Sequence, residues 1–275
     1  MIRVETRPGP IGAGPGLHWL GQAGFWIDTG AHRILIDPYL SDSLARKYAG
    51  QANDHRRMMP VPVVPEALPR PDVVLVTHAH TDHMDPETLG PLHRRFPDLP
   101  FVVPAARLEV ARPRIGAAAR LVAVDAGQTL EPVPGLTLHV LPAAHETFER
   151  DAAGRHPFLG YALASGGLRL AHSGDTIPYP GQADRLRAFG VDVLLLPVNG
   201  RDAARLAAGI PGNLTLAEAI ALARAAEVPC LVPHHFGMFA FNTLDPARID
   251  AAAASGVVPV ILRPEIGLFL CWWKE

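Results

Sequence analysis

The chain has 275 residues, 48 % of them hydrophobic and 19 % charged, with a formal net charge of −2. That balance describes a globular protein with a sizeable core, and no run approaches the roughly 18 consecutive apolar residues of a membrane span. Lys47 and Lys274 are the only lysines among scattered arginines, so the sequence offers no basic track for nucleic acid.

The first residues, 1–16, are rich in Gly and Pro, read as an irregular lead-in and contain no apolar secretory segment. Residues 17–30 and 32–38 read as strands joined by a Gly-containing turn. The second ends at Asp37-Pro38, where Asp37 suits turn initiation and a supporting place near a metal equally well. Residues 39–71 show little periodicity, and so long a connection is expected to be either a surface loop or a lid. Arg57 in this segment is a candidate contact for an anionic substrate.

Val73–Thr77 is a β-branched apolar run that suits a buried strand. Three histidines and two aspartates follow at once: His78, His80, Asp82, His83 and Asp85. Imidazoles and carboxylates mixed in this way suit zinc, manganese or iron better than calcium or magnesium. Pro86 then opens a helix carrying Leu89, Leu92 and Phe96 at helical spacing, with His93 a structural residue beside that face.

Residues 99–104, 121–124 and 136–142 read as strands, with a helical segment near 105–111 and His139 expected as a packed core histidine. His145 falls just past a strand end. Residues 160–176 form an expected hairpin turning at Gly166-Gly167; it keeps His172 in the strand and ends at Asp175. A helix over 183–189 leads to a strand over 191–200, whose polar end makes Asn199 a second candidate substrate contact. Thr215 and Glu218 have capping-box spacing for a helix reaching about Ala226. Residues 228–239 read as a strand delivering His234 and His235, and the chain closes with two strands expected to cover an edge. Cys230 and Cys271 lie in apolar surroundings and are expected to be packed, which suits a reducing cytoplasm. No short repeat and no dividing linker interrupt residues 1–275, so one domain is expected.

Four strand ends thus offer ligand-type residues: the His78–His83 cluster, His145, Asp175, and His234 or His235. The run His78-Ala-His80-Thr-Asp82-His83 resembles the HxHxDH signature of the metallo-β-lactamase superfamily. Within that superfamily the chain is most similar to the L-ascorbate-6-phosphate lactonase group. The stretches behind this likeness are WLGQAGFWI (19–27), LIDPYLSD (35–42), AAHE (143–146), SGDT (173–176), LPVNG (196–200) and VPHHFGMF (232–239), which together span nearly the whole chain. The resemblance implies an α/β fold of four layers, an αββα sandwich with the metal site at one edge between two sheets. It implies one ion at His78, His80 and His145, a second at Asp82, His83 and the terminal histidine, and Asp175 bridging them. The position just before Phe236 selects His235, and strand alternation turns His234 the other way.

One or two divalent ions, zinc or manganese first and iron after them, would lower the pKa of bound water to about 7. Asp82 would orient the resulting hydroxide or carry its proton away, alongside or instead of ligating. No GxSxG elbow supplies another nucleophile. The expected activity is therefore metal-dependent hydrolysis of a small, anionic lactone or ester. A phosphodiesterase or nuclease on the same fold is the alternative, and a non-catalytic metal-binding scaffold is the third reading. The expected partner is the small molecule alone, without nucleic acid or membrane, and a homo-oligomer is compatible with the resemblance.

Overall fold

The computed structural model describes residues 2–256 and 258–274. Two sheets face one another. In chain order, β1 (Ile2–Pro8), β2 (Gly16–Gly21), β3 (Gly24–Asp28), β4 (Arg33–Ile36), β5 (Val73–Leu75), β6 (Pro100–Pro104) and β7 (Arg120–Val124) belong to the first. β8 (Thr129–Leu130), β9 (Thr137–Pro142), β10 (Leu159–Ser165), β11 (Leu168–His172), β12 (Val193–Pro197), β13 (Cys230–His234) and β14 (Val260–Ile261) build the second. The last strand, β15 (Leu268–Lys274), returns to the first sheet. The spatial orders are β1-β15-β2-β3-β4-β5-β6-β7 and β14-β13-β12-β11-β10-β9-β8.

Alternation along the strands makes the layers. Phe25, Ile27, Ile34, Ile36, Val73 and Leu75 point between the sheets and join the core formed with β9 to β13. Their neighbours Trp26, Leu35 and Val74 point outward. There they pack with α2 (Pro86–Arg95) and α3 (Leu108–Ile115), through Leu89, Leu92, Ala111 and Ile115. The second sheet's outer face carries α4 (Gln182–Phe189), α6 (Leu216–Ala225) and α7 (Pro246–Ala254), whose Leu186, Ala219, Ala223 and Ile249 are buried. The result is the expected four-layer αββα sandwich. Tyr161 ties the sheets together, its buried hydroxyl donating to the Val76 carbonyl at 2.8 Å.

Two short helices, α1 (Ser43–Lys47) and α5 (Ala203–Ala207), lie outside these layers. No helix among the described residues is long and apolar enough to cross a membrane.

Several expectations meet their predicted form. Gly166 and Gly167 both take positive φ (57° and 79°), as a two-residue hairpin turn of this hand demands. Thr215 and Glu218 form the full capping box of α6. Others are corrected. The lead-in is irregular only over residues 9–15: Ile2–Pro8 pairs antiparallel with Leu268–Lys274 along its length, a partner too distant in sequence to be read locally. Residues 17–30 are two strands, β2 and β3, folded over at Gln22-Ala23. The two closing strands separate, β14 pairing with β13 and β15 entering between β1 and β2. His139 is only half-buried, its Nδ1 3.0 Å from Thr129 Oγ1, because alternation turns it away from the core side of β9. Asp85 leaves the ligand cluster to cap α2, accepting hydrogen bonds from Glu87 N at 3.3 Å and Thr88 Oγ1 at 2.6 Å.

Candidate metal centre

Strands β4 and β5 run parallel, as do β11, β12 and β13, so their carboxyl ends lie together at the edges of their sheets. The loops leaving those ends carry the site. His78, His80, Asp82 and His83 follow β5, and a tight turn closed by His83 N–H and Met84 N–H on the His80 carbonyl (3.1 and 2.8 Å) gathers them. His145 follows β9, Asp175 follows β11 and His235 follows β13.

Two of these loops need special backbone. Gly174 has φ +63°, and a Cβ there would stand 2.2 Å from the Leu159 carbonyl oxygen. Only glycine lets the chain turn so close to β10 and present Asp175. His235 itself takes φ +61°, which ends β13 at His234, five residues short of the expected end at 239, and swings its ring away from that of His234.

Asp175 Oδ2 is the geometric centre. It lies 3.1 Å from His235 Nε2, 3.5 Å from His83 Nε2 and 3.9 Å from His145 Nε2. Asp82 Oδ2 is 3.8 Å from both His83 Nε2 and His235 Nε2. Three groups have ligand atoms within 4.8 Å of one another: His78, His80, His145; His78, His83, Asp175; and Asp82, His83, His235. All seven expected ligand positions therefore meet at one place.

These donors fit a cation. His83 Nε2 and Asp175 Oδ1, both on groups that meet at the centre, are buried without a hydrogen-bond partner among the described residues, and leaving such groups unmatched costs about 1–3 kcal/mol each. Burial, reinforced by the neighbouring imidazoles of His83 and His80, holds His78 well below the ordinary histidine range. Burial likewise takes His145 down to about 4, so both rings are held in the neutral form that a metal ion requires of an imidazole. Burial works against the charge of Asp175, but the imidazoles of His235 and His83 outweigh it and hold the carboxyl well below its usual value. The same opposition, decided by His83 and His235, lowers Asp82. Burial disfavours a charged His83, yet Asp175, Asp37 and Asp82 together raise it well above the usual range. A site this rich in carboxylate attracts positive charge, as a proton or as a metal ion.

Two residues behind the ligands were not legible as ligand types. Asp37, fully buried at the end of β4, sets its Oδ2 2.7 Å from His83 Nδ1 and accepts from Thr77 Oγ1 at 2.5 Å. Its Oδ1 accepts from Thr77 N at 2.8 Å. Asp37 thus stands at the turn and also against His83, a residue that would hold an ion, where it would orient that ring. Gln22, at the fold of the β2–β3 hairpin, donates from Nε2 to Asp82 Oδ2 at 2.8 Å. A glutamine in a turn carries no ligand signature; the usable signal was its place inside WLGQAGFWI. His234 is buried and stacked on His172 at 4.5 Å. It lies in the core beside the site.

A cavity of about 520 Å³ opens above the centre, with His80, Asp82, His145, Asp175 and His235 among its lining residues. Lys47 and Arg114 bring positive charge to its walls, and Tyr48, His55, Phe239 and Phe241 form an aromatic side. Arg57 does not line it: its guanidinium donates to the carbonyls of Tyr39 (3.0 Å), Ser41 (3.3 Å) and Met59 (3.3 Å). Asn199 lies behind the wall, donating to Asn242 Oδ1 at 2.8 Å.

A family model for the beta-lactamase superfamily domain matches residues 32–236. The chain belongs to that superfamily. Among its relatives, a UPF0173 metal-dependent hydrolase of Pyrobaculum aerophilum is 27 % identical, covering 90 % of this chain and 96 % of its own. The UPF0173 metal-dependent hydrolase of Thermoplasma acidophilum is also 27 % identical, covering 90 % and 94 %. The fold is shared with the isothiocyanate hydrolase from Delia radicum gut bacteria, at a TM-score of 0.72 and 19 % identity over 94 % of this chain and 98 % of that one. It is shared too with the metallo-beta-lactamase fold protein YhfI of Bacillus subtilis, at a TM-score of 0.63 and 18 % identity over 98 % and 99 %. Family, relatives and donor set agree on a metal-dependent hydrolase of the beta-lactamase superfamily.

Proposed function

We propose that this superfamily member hydrolyses a small, anionic lactone or ester in the cytoplasm, close in chemistry to the L-ascorbate-6-phosphate lactonase group. The observation that carries this reading is the convergence of three imidazoles on one buried Asp175 oxygen at the floor of a cavity with cationic walls. His78, His80 and His145 would hold one ion and Asp82, His83 and His235 a second, with Asp175 between them; zinc, manganese and iron all suit these donors. A bound divalent ion supplies a Lewis acid for the carbonyl oxygen and a water acidic enough to attack near neutral pH.

The remaining work belongs to the chain. Asp82 borders the cavity with one oxygen tied to Gln22. Its lowered pKa keeps it a carboxylate that can orient the attacking water and accept its proton. Water adds across the acyl C–O bond, leaving a carboxylate and an alcohol, and no protein nucleophile is acylated. Lys47 lines the cavity, as does Arg114, whose Nη1 donates to the Ala79 and Met84 carbonyls at 2.6 and 3.3 Å, and these two cations would hold the substrate's anionic group. They take the part that the sequence alone suggested for Arg57.

The test is metal analysis joined to a panel of lactones, esters and phosphodiesters, with Asp82→Asn as control. Lactone or ester turnover that needs metal and Asp82 supports the proposal. Phosphodiester turnover alone would make the protein a phosphodiesterase, and stoichiometric metal with no turnover of any class would make it a scaffold.

A further inference from the structure

Gln22 is fully buried and sits at φ +51°, a backbone region that glycine and asparagine enter far more readily than glutamine. Its backbone is pinned on both sides of the hairpin. The Gln22 carbonyl accepts from Trp19 Nε1 at 2.9 Å and from the His235 N–H at 2.9 Å. These contacts aim the side chain into the gap between two members of the metal centre. Nε2 lies 2.8 Å from Asp82 Oδ2 and 3.2 Å from His235 Nε2, while Oε1 is buried without a partner.

The spacing is informative. Two atoms bound to one ion at about 2.1 Å each stand about 3.0 to 3.4 Å apart in octahedral or tetrahedral order. The terminal atom of Gln22 keeps almost that separation from two ligand atoms of the Asp82, His83, His235 group. Half a turn of the amide about its last torsion exchanges Nε2 and Oε1, and because Oε1 has no partner the exchange gives up only the two Nε2 contacts, to Asp82 and to His235. Next to an anionic carboxylate oxygen the amide presents N–H; with a cation between them it can present oxygen instead.

We propose that Gln22 belongs to the metal centre, its amide oxygen completing the ion site formed by Asp82, His83 and His235. The inference rests on the metal-binding reading above and adds one ligand to it. A carboxamide oxygen is a hard, neutral donor, so it tilts this half of the centre toward manganese without adding negative charge.

The experiment titrates metal-free protein with manganese chloride and, separately, zinc chloride, following heat and bound metal. Wild type is compared with Gln22→Leu, Gln22→Asn and Gln22→Glu. The wild type is expected to take two ions. Gln22→Leu removes the donor, and Gln22→Asn tolerates the left-handed backbone but is too short to reach. Both should weaken the second equivalent about 10- to 100-fold and leave the first, at His78, His80 and His145, unchanged. Gln22→Glu restores an oxygen and should bind the second ion at least as tightly as wild type. Normal second-ion affinity in Gln22→Leu and Gln22→Asn would overturn the proposal. Loss of that affinity in Gln22→Glu would also overturn it, because only the amide N–H to Asp82 would then matter. If wild type binds one ion, the second site and this ligand fall together; if it binds none, the metal-binding reading itself fails.

Discussion

Asp37→Asn is the most discriminating change behind the ligands, because it alters one atom and forces a tautomer. The Asp37 carboxylate can only accept hydrogen bonds, so the proton that His83 shares with it at 2.7 Å sits on Nδ1. That leaves Nε2, which faces Asp175 at 3.5 Å and Asp82 at 3.8 Å, as the atom that would exchange its proton for an ion. In the variant, the Thr77 N–H still demands an acceptor, so the asparagine oxygen stays on Thr77 and its NH₂ turns toward His83. Nδ1 must then accept, and the remaining ring proton sits on Nε2. A supporting carboxylate of this kind is worth about 10- to 100-fold in metal affinity, or roughly 1.4 to 2.7 kcal/mol. Calorimetric metal titration of Asp37→Asn should show that loss in the equivalent bound by Asp82, His83 and His235. Histidine nitrogen NMR of the metal-free protein should show Nδ1 of His83 without its proton in the variant while Nε2 keeps one. Unchanged affinity beside an Nδ1 without its proton would refute the argument that tautomer controls this site.

Three further changes test the frame. Gly174→Ala puts a Cβ 2.2 Å from the Leu159 oxygen at a left-handed φ. It should lower the denaturation midpoint by several degrees and reduce bound metal, read by melting and metal content together. Glu218 is held down to about 2, chiefly by its hydrogen bonds from Arg201, with the Thr215 contacts adding to the effect. Its folded pKa is thus depressed below the ordinary 4.5. Its contribution is complete above that value and is lost as pH falls toward about 2, and Glu218→Gln should flatten the acid limb of the stability profile in that window. Glu227 holds φ +58° away from the metal centre. Glu227→Gly should relieve about 1 kcal/mol of backbone strain in a denaturant titration and leave metal binding untouched; destabilisation would show that its ion pair with Arg187 outweighs the backbone.

The metal centre was more legible than the cavity above it. Histidines and aspartates at strand ends announce their chemistry by residue type, and parallel strands bring such ends to one edge whatever the loop details. The position of His235 rather than His234 follows from the same logic, since consecutive residues at a strand end diverge. The substrate contacts are different. Arg57 and Asn199 suit the role by charge and by position after a strand, yet neither lines the cavity, each facing neighbouring carbonyls or amides behind its wall. Which cation faces a cavity depends on how the connections fold over the edge. There Lys47, on α1, and Arg114, on α3, were invisible as a pair because 67 positions (114 minus 47) separate them in the chain. The start of the chain departs from its local pattern for a related reason. Ile2–Pro8 is a strand only because Leu268–Lys274 lies beside it, and no local pattern records a partner at the other end of the molecule.

Backbone strain marks the same edge independently of residue type. Among the described residues, five that are not glycine take positive φ: Gln22, Asp37, Glu146, His235 and Glu227. The first four adjoin the metal centre: Gln22 against Asp82, Asp37 against His83, Glu146 directly after His145, and His235 itself. Such conformations cost on the order of 1 to 3 kcal/mol apiece, and each of the four could be relieved by glycine only by removing a side chain that the edge uses. Glu146 shows why the cost is borne. Its Oε1 accepts from Gly212 N at 2.5 Å, which ties the His145 loop to the segment carrying Ile210 and Pro211 along the cavity wall. The strained residues therefore tie the candidate ligands, their supports and the cavity wall together at one edge of the sandwich, around Asp175.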